Sequence, residues 1–335
     1  MKNARIAVIG AGAVGGVIAA ALKNSGYDVN LVAKYPELAK KVASEGIHVF
    51  GKCGDFTIKI PSVASVSGLD GTYDFAFMAT KGYDMPAAAR DLLPFLDEDS
   101  RVVCMQNGIC EEDLAKIVGA QRTVGCVVGW GATMHEPGVS EMTSTGEFII
   151  GNWEGQEYGR LREIMQMLNR IAQVKFSNNI FSELYSKLII NSCITTLGAI
   201  SGLLLGEMLL RKKCRNIFIQ VIIEAMAVAD AMKLDVPPYA GKLDYYKFRK
   251  TGFLSGMKRH ITLLAIGFKY RRLKSSSLQS LERGRKTEVD NYNGYITAKG
   301  IEYGIETPVN KKLTEMVKEI ESGKRKINPD NFNEF

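Results

Sequence analysis

The hydrophobic positions follow two different rhythms along the chain. In the first half, short unbroken apolar runs recur between helical patterns, at Arg5–Ile9, Val29–Val32, Phe75–Ala79 and Val102–Met105. Runs that are continuous rather than alternating predict strands buried on both faces, as in a parallel sheet. Ile47–Ile60 reads as a hairpin turning around Gly51–Asp55. Thr123–Val128, Thr133–Thr143 and Glu147–Ile150 read as further strands, with Pro137-Gly138 as a turn between them. Beyond Phe176 the spacing becomes helical, over Phe181–Asn191, Leu203–Lys212, Arg215–Met232, Gly256–Lys269, Glu288–Tyr303 and Pro308–Glu321. The polar residues from Ser322 onward are expected to fray. The pattern predicts an α/β first domain over residues 1–176 and an all-helical second domain over residues 177–335. An active cleft is expected between them.

Composition narrows the class. Of 335 residues, 46% are hydrophobic and 24% charged, which excludes disordered, collagen-like and disulfide-scaffold chains. The net charge of +7 is mild; it suits an anionic substrate or cofactor and does not demand nucleic acid. Basic residues thicken between Lys258 and Lys286, where Glu282 is the only acid, but no nucleic-acid-binding motif accompanies them. A solvated helix face accounts for that stretch. The six cysteines form no C-x-x-C pair and read as reduced thiols of a cytoplasmic protein. The spacing of the three histidines supports neither a zinc site nor a His-based triad. Leu188–Gly206 is uncharged and long enough to cross a bilayer. It contains Asn191, Ser192, Thr195, Thr196 and Ser201, however, and Lys187 and Glu207 bracket it, so a buried helix pair is the better reading and no membrane partner is expected. The apolar helices of the second half are candidates for a homodimer surface.

The first strand runs into Gly10-Ala11-Gly12-Ala13-Val14-Gly15, followed by an alanine-rich helical run. In that strand–turn–helix context G-x-G-x-x-G is the fingerprint of a Rossmann-type dinucleotide-binding domain. Gly10 makes the tight turn, Gly12 admits the pyrophosphate, and Gly15 packs helix on strand. The free N–H groups and positive dipole end of the helix then face the phosphates. A site for NAD usually carries an acid at the end of the second strand, bonded to the ribose 2′-OH. Here Leu31-Val32-Ala33-Lys34 offers a lysine instead, which would attract a 2′-phosphate. NADP(H) is therefore the expected cofactor.

Three further segments carry candidate chemistry. Lys81 follows the strand Phe75–Ala79, and Gln106-Asn107-Gly108 follows Val102–Met105; both lie just past strand C-terminal ends, where open α/β sheets bind ligands. Lys187 and Asn191 stand four residues apart on a predicted helix, so an ammonium and an amide share one face. Hydride delivery to a ketone leaves a developing alkoxide, which a lysine ammonium can stabilise and protonate. Glu288 opens a polar-then-apolar helical run; it could bond the substrate hydroxyl, orient the lysine, or serve the helix dipole. Asn191 and serine hydroxyls can hold a carbonyl or a carboxylate without added charge.

Taken in order, these motifs resemble the ketopantoate reductase family (2-dehydropantoate 2-reductase). The likeness runs from the glycine turn through Lys81, the Asn107-Gly108 pair and the K-x-x-x-N helix. It ends in the block from Ser276 through Gln279 to Thr287-Glu288-Val289-Asp290 and Asn293-Gly294. The resemblance implies NADPH-dependent reduction of ketopantoate to pantoate, a precursor of pantothenate and coenzyme A. It implies Lys187 as the catalytic lysine and Glu288 as the catalytic-site glutamate. It further implies Lys34 and Lys81 as cofactor contacts and Asn107 as a residue near nicotinamide and substrate. Asn191, with Ser276 or Ser277, would bind the substrate. Two positions depart from the family pattern. Thr195 stands in the pocket where a second asparagine is common, and Ser280 where an acid often follows Ser-x-Leu-Gln. A reductase of another 2-oxo acid is thus the alternative, and a dinucleotide-binding sensor without turnover a further one.

Overall fold

The fold is that of a computed structural model, which describes residues 4–154 and 158–335. The chain divides into two compact units, Met1–Leu184 and Tyr185–Phe335. The division falls inside one long helix rather than at residue 176.

The first unit contains β1 (Arg5–Ile9), α1 (Ala13–Asn24), β2 (Asp28–Val32), α2 (Pro36–Ser44), β3 (Ile47–Gly51), β4 (Phe56–Ile58), β5 (Ser62–Val63) and β6 (Phe75–Met78). It continues with α3 (Met85–Leu92), β7 (Arg101–Cys104), α4 (Glu111–Val118), β8 (Thr123–Val128), β9 (Ala132–Glu136), β10 (Val139–Met142), β11 (Phe148–Asn152), α5 (Gly159–Leu168) and β12 (Val174–Phe176). Eight strands form one sheet in the order β12-β11-β8-β7-β6-β1-β2-β5. The pairs among β5, β2, β1, β6, β7 and β8 are all parallel, and β11 runs antiparallel to β8. The apolar runs are unbroken because both faces of these strands are covered. Ile6 and Val8 point into one core cluster, and Ala7 and Ile9 into another on the opposite face. Strand β1 has β2 on one side and β6 on the other, so its C-terminal end is the point where strand order reverses.

The expected hairpin is β3–β4, and β9–β10 turn at Pro137-Gly138. Together they make a second sheet, β4-β3-β10-β9. This sheet packs on α1 at Gly16, where an added Cβ would stand 2.9 Å from Ile47 Cδ1 and 3.0 Å from Ser140 Oγ.

The second unit begins within α6 (Ile180–Ser201) and is helical: α7 (Leu205–Leu210), α8 (Lys212–Ala231), α9 (Tyr246–Arg249), α10 (Phe253–Lys269), α11 (Ser276–Glu282), α12 (Asn293–Tyr303) and α13 (Pro308–Glu321). The uncharged span Leu188–Gly206 is the rest of α6 and the start of α7, broken at Gly202, whose φ of +73° suits glycine. Among the described residues, no helix is long and apolar enough to cross a membrane.

Hydrogen bonds fix the rotation of α6. Tyr185 Oη donates to the Ala225 carbonyl at 2.8 Å, and Ser186 Oγ donates to the Pro237 carbonyl at 2.8 Å. Thr196 Oγ1 donates to Asn293 Oδ1, and Asn293 Nδ2 donates to Asn310 Oδ1 at 2.9 Å. Asn310 Nδ2 in turn donates to Glu224 Oε2 at 2.7 Å. The Glu224 carboxylate also accepts the backbone N–H groups of Val309 and Asn310 at 2.9 Å, satisfying the start of α13. A fully satisfied buried network of this kind holds α6, α8, α12 and α13 in one arrangement.

Ser276 and Ser277 lie in α11, whose N-cap Ser275 accepts the Leu278 N–H. Two sequence expectations change. The helix expected over Glu288–Tyr303 is broken: a short 3-10 turn covers Val289–Asn291, and Tyr292 interrupts before α12. The polar tail does not fray. Arg325 pairs with Glu319 Oε2 at 2.6 Å and with Glu334, Phe332 is 2% exposed, and the Asn328 N–H donates to the Ile200 carbonyl at 3.0 Å. Its few apolar residues suffice because the end of α6 and its own ion pairs anchor it.

Candidate active site

The glycine turn has the geometry that its chemistry needs. Gly10 follows β1 at φ +113°, and its N–H donates to the Val32 carbonyl at 2.9 Å. A Cβ at residue 10 would lie 2.8 Å from the Ala79 carbonyl oxygen, so only glycine fits between β1 and β6. At residue 15 a Cβ would stand 2.0 Å from the Gly10 carbonyl oxygen; helix and strand touch there. At Gly12, the N-cap of α1, a Cβ would meet nothing within 4 Å. Backbone is therefore bared to open space at the head of a helix with no acid in its first turn. Ala11, Ala13 and Val14 complete the turn. These residues fit a pyrophosphate, which takes its hydrogen bonds from such backbone N–H groups.

Lys34 stands just past β2 and is largely exposed. Its Nζ pairs with Asp84 Oδ2 at 3.1 Å, and this hydrogen bond raises the lysine pKa above its usual value. Asp84 precedes α3, so an acid accompanies the lysine at a position where sequence alone showed only the cation. Lys81 is half-buried in the loop after β6, and its carbonyl accepts the N–H groups of Asp84 and Met85 at 2.9 and 3.1 Å.

The loop after β7 is held by side chains that sequence reasoning passed over. Gln106, 4% exposed, accepts the Cys104 thiol at 2.9 Å and donates to Thr80 Oγ1 at 3.2 Å. This ties the Asn107 loop to the Lys81 loop and leaves Asn107 half-buried between Gln106 and Gly108, whose φ is +89°. Glu111 begins α4 and is fully buried. One carboxylate oxygen accepts the Cys110 N–H at 3.0 Å, and the other has no hydrogen-bond partner among the described residues. Burial pushes this carboxyl up to about 8, against the pull of nearby N–H groups and the Cys104 thiol. The only sequence cue was an acidic run, Glu111-Glu112-Asp113, at a helix start, which reads as an ordinary dipole preference.

In the second unit, α6 is buried at every position from Tyr185 to Ser201 except Lys187, Asn191 and Ile194. Those three stand at i, i+4 and i+7, a single stripe. The neighbours of Lys187 are the pinned Tyr185 and Ser186 and the buried Leu188, so its direction is fixed by packing. Thr195 is buried, and its hydroxyl donates to the Asn191 carbonyl at 2.7 Å.

Glu288 is 7% exposed, so it is no surface carboxylate. It precedes the 3-10 turn, and its neighbour Thr287 donates through N–H and Oγ1 to Glu321 at 2.6 and 2.7 Å. Of the serines, Ser276 is exposed and Ser277 buried, while Ser275 seats against α6 at Gly198, where a Cβ would be 2.5 Å from Ser275 Oγ. Asn293 belongs to the buried network described above. Among the described residues, no group of three His, Cys, Asp or Glu is placed to hold a metal ion.

Comparison with known proteins places both halves of the chain in one family. Residues 6–155 match the family model described as ketopantoate reductase PanE/ApbA, and residues 179–321 match that of its C-terminal part. A 2-dehydropantoate 2-reductase of Archaeoglobus fulgidus is 29% identical over 96% of this chain and 100% of its own length. The crystal structure of a PanE/ApbA family ketopantoate reductase from Ralstonia eutropha JMP134 superposes with a TM-score of 0.81, at 26% identity over 95% of this chain and 99% of that one. A D-mandelate dehydrogenase solved with NADH and anilino(oxo)acetate shares the fold, with a TM-score of 0.83 at 23% identity over 95% of this chain and 98% of that one.

Two outcomes follow from the first unit. Gly12→Ala leaves the melting temperature unchanged and weakens dinucleotide binding, whereas Gly15→Ala destabilises the fold itself; thermal melts and cofactor titration distinguish the two. Glu111 holds a proton in the folded chain up to about pH 8, whereas in the unfolded chain it releases it near its ordinary value of about 4.3. Between those values the folded state binds the extra proton, so stability falls as pH rises through that window. Glu111→Gln removes this dependence, and its melting temperature gains on the parent's steadily from pH 5 to pH 8. Parallel curves would contradict a buried neutral carboxyl.

Proposed function

The chain belongs to the ketopantoate reductase family of dinucleotide-binding oxidoreductases, and we propose that it reduces the ketone of 2-dehydropantoate to pantoate using NADPH. The observation that carries this reading is the stripe on α6. A helix otherwise closed to solvent from Tyr185 to Ser201 presents a lysine and an amide side by side. A dinucleotide-binding sensor has no use for that pair, whereas a ketone reductase needs it. A 2-oxo acid brings a ketone and a carboxylate, which require a proton donor and neutral hydrogen-bond donors respectively.

When bound, the reduced nicotinamide supplies the hydride. The chain's own residues supply the remainder. Lys187 faces the ketone oxygen, offsets the negative charge that builds there, and donates the proton that completes the alcohol. Asn191, with Ser276 or Ser277, holds the carboxylate by neutral hydrogen bonds. Glu288, removed from water, accepts a hydrogen bond from the substrate hydroxyl or from the lysine. Asn107, steadied through Gln106 and Thr80, marks the nicotinamide side of the reaction. Thr195 donates back to its own helix, so its hydroxyl offers the substrate lone pairs rather than a proton. Gly10 to Gly15 receive the pyrophosphate, with Lys81 beside them. Lys34 receives the 2′-phosphate, which must draw it from Asp84. Thiols without a disulfide among the described residues suit the cytoplasm.

Lys187→Ala is expected to keep its melting temperature and cofactor affinity while kcat on 2-dehydropantoate falls by ~10²–10⁴. Turnover near the parent's would end the lysine mechanism. A panel of 2-oxo acids assayed by NADPH consumption identifies the substrate, and equal rates on an unrelated 2-oxo acid would displace 2-dehydropantoate. Lys34→Ala reduces the preference for NADPH over NADH by roughly fivefold, the effect of about 1 kcal/mol at an exposed charge. Asp84→Asn moves the preference the other way. An unchanged ratio in both would remove the 2′-phosphate from that position.

A further inference from the structure

The buried carboxyl of Glu111 has no part in the chemistry assigned to Lys187 and Glu288, yet it adjoins the loops assigned to the cofactor. It opens α4, shortly after Asn107, and is fully buried. Cys104 ends β7, in register with Met78 of β6 and Gly125 of β8, and is fully buried as well. The two groups are close enough for each to act on the other's proton. A thiol has one proton to donate. Here it goes to Gln106 Oε1 at 2.9 Å, while one oxygen of Glu111 receives no hydrogen bond from the described residues. Gln106 carries the link on, donating to Thr80 Oγ1 at 3.2 Å, next to Lys81.

We propose that Glu111 is a positioning residue of the dinucleotide site: through Cys104 and Gln106 it sets the Asn107 loop against the Lys81 loop, and with them the hold on the reduced cofactor. The proposal rests on the reading of this unit as the cofactor-binding part of a reductase. The link has a direction. A neutral carboxyl accepts weakly, so the thiol proton stays with Gln106. An ionised carboxylate accepts far more strongly and would draw that proton to itself. Gln106 Oε1 would then lose its donor where water does not reach, and the two loops would be released from each other.

The groups that act on the Glu111 proton are few. They are the Cys104 thiol from β7 and the N–H groups of Cys110, of Glu111 itself and of Cys126 from β8. The Cys110 thiol bears on Cys104 in turn. On α3 and α4 the charged side chains of Arg90, Asp91, Asp113 and Lys116 are exposed, and Glu112 is half-buried. Arg122, after α4, bonds the Asp97 and Val118 carbonyls. Burial outweighs the N–H groups, so the carboxyl holds its proton up to about 8. Raising the pH through that value ionises Glu111 and loosens the loops.

The NADPH dissociation constant of the full chain, read by intrinsic fluorescence, should rise about tenfold from pH 7 to pH 9, as release of one proton near 8 requires. Glu111→Gln, uncharged and of equal size, should keep the parent's pH 7 affinity up to pH 9. Gln106→Ala, lacking the thiol's acceptor, should bind NADPH weakly throughout, with no slope. Hydrogen–deuterium exchange without ligand reads the same event. Protection of the amides from Gln106 to Cys110 should fall between pH 7 and pH 9 in the parent and not in Glu111→Gln. A parent affinity that is flat with pH overturns the proposal, as does a slope that survives in Glu111→Gln. Loop protection that ignores both pH and the substitution also overturns it, and leaves Glu111 a structural residue whose variants alter only the melting temperature. If both slopes behave as stated while no 2-oxo acid is reduced, the reductase reading fails and the positioning role stands.

Discussion

A helix closed on every side but one has a single rotational setting, and helix α6 is such a helix. Tyr185 and Ser186 anchor it through the carbonyls of Ala225 and Pro237, and Thr196 anchors it through the Asn293–Asn310–Glu224 network. All but the part-buried Ser186 bond are buried, so turning the helix would leave several polar groups without partners at a cost of about 1–3 kcal/mol apiece. The direction of Lys187 and Asn191 is thereby decided by side chains that themselves do no chemistry. Preorganisation of this kind lets a charged group stabilise a transition state without rearrangement at the moment of reaction.

The dinucleotide half rests on the opposite device, the removal of side chains. Contact between α1 and β1 at Gly15, and between β1 and β6 at Gly10, is so close that no β-carbon is admitted, while Gly12 is empty only toward the open side. Two glycines serve packing, and the third leaves its backbone open. Around them the loops after β6 and β7 are joined through Gln106 and Thr80, so that Lys81 and Asn107 sit on one connected edge.

Much of this was legible in the amino-acid order, for physical reasons. Parallel strands buried on both faces must be apolar without interruption, and β1, β2, β6 and β7 announced themselves in that way. The glycine turn was legible because steric exclusion leaves no alternative residue. Lys187 and Asn191 were legible because a four-residue spacing has one meaning on a helix. The burial of Glu288 and the pairing of Lys34 with Asp84 were not, since each depends on a neighbour distant in sequence. Glu111 looked like any acid at a helix start, and only tertiary packing distinguishes a dry carboxyl from a solvated one. The tail misled for the same reason: its anchors, Arg325 and Phe332, are single residues in a polar stretch, and their partners come from elsewhere in the chain.

The tail's attachment also bears on how the chain is made. The backbone carbonyl of Ile200, at the end of α6, is met by the N–H of Asn328 and the side-chain amide of Asn331, which lies 131 residues further on. A ribosome adding roughly 5–20 residues each second would take about 7–26 seconds to deliver that cap after Ile200 has been joined. The lysine-bearing helix therefore waits with an unfinished end while nearly all of its helical neighbours are being synthesised, and nascent chains released early would carry it incomplete.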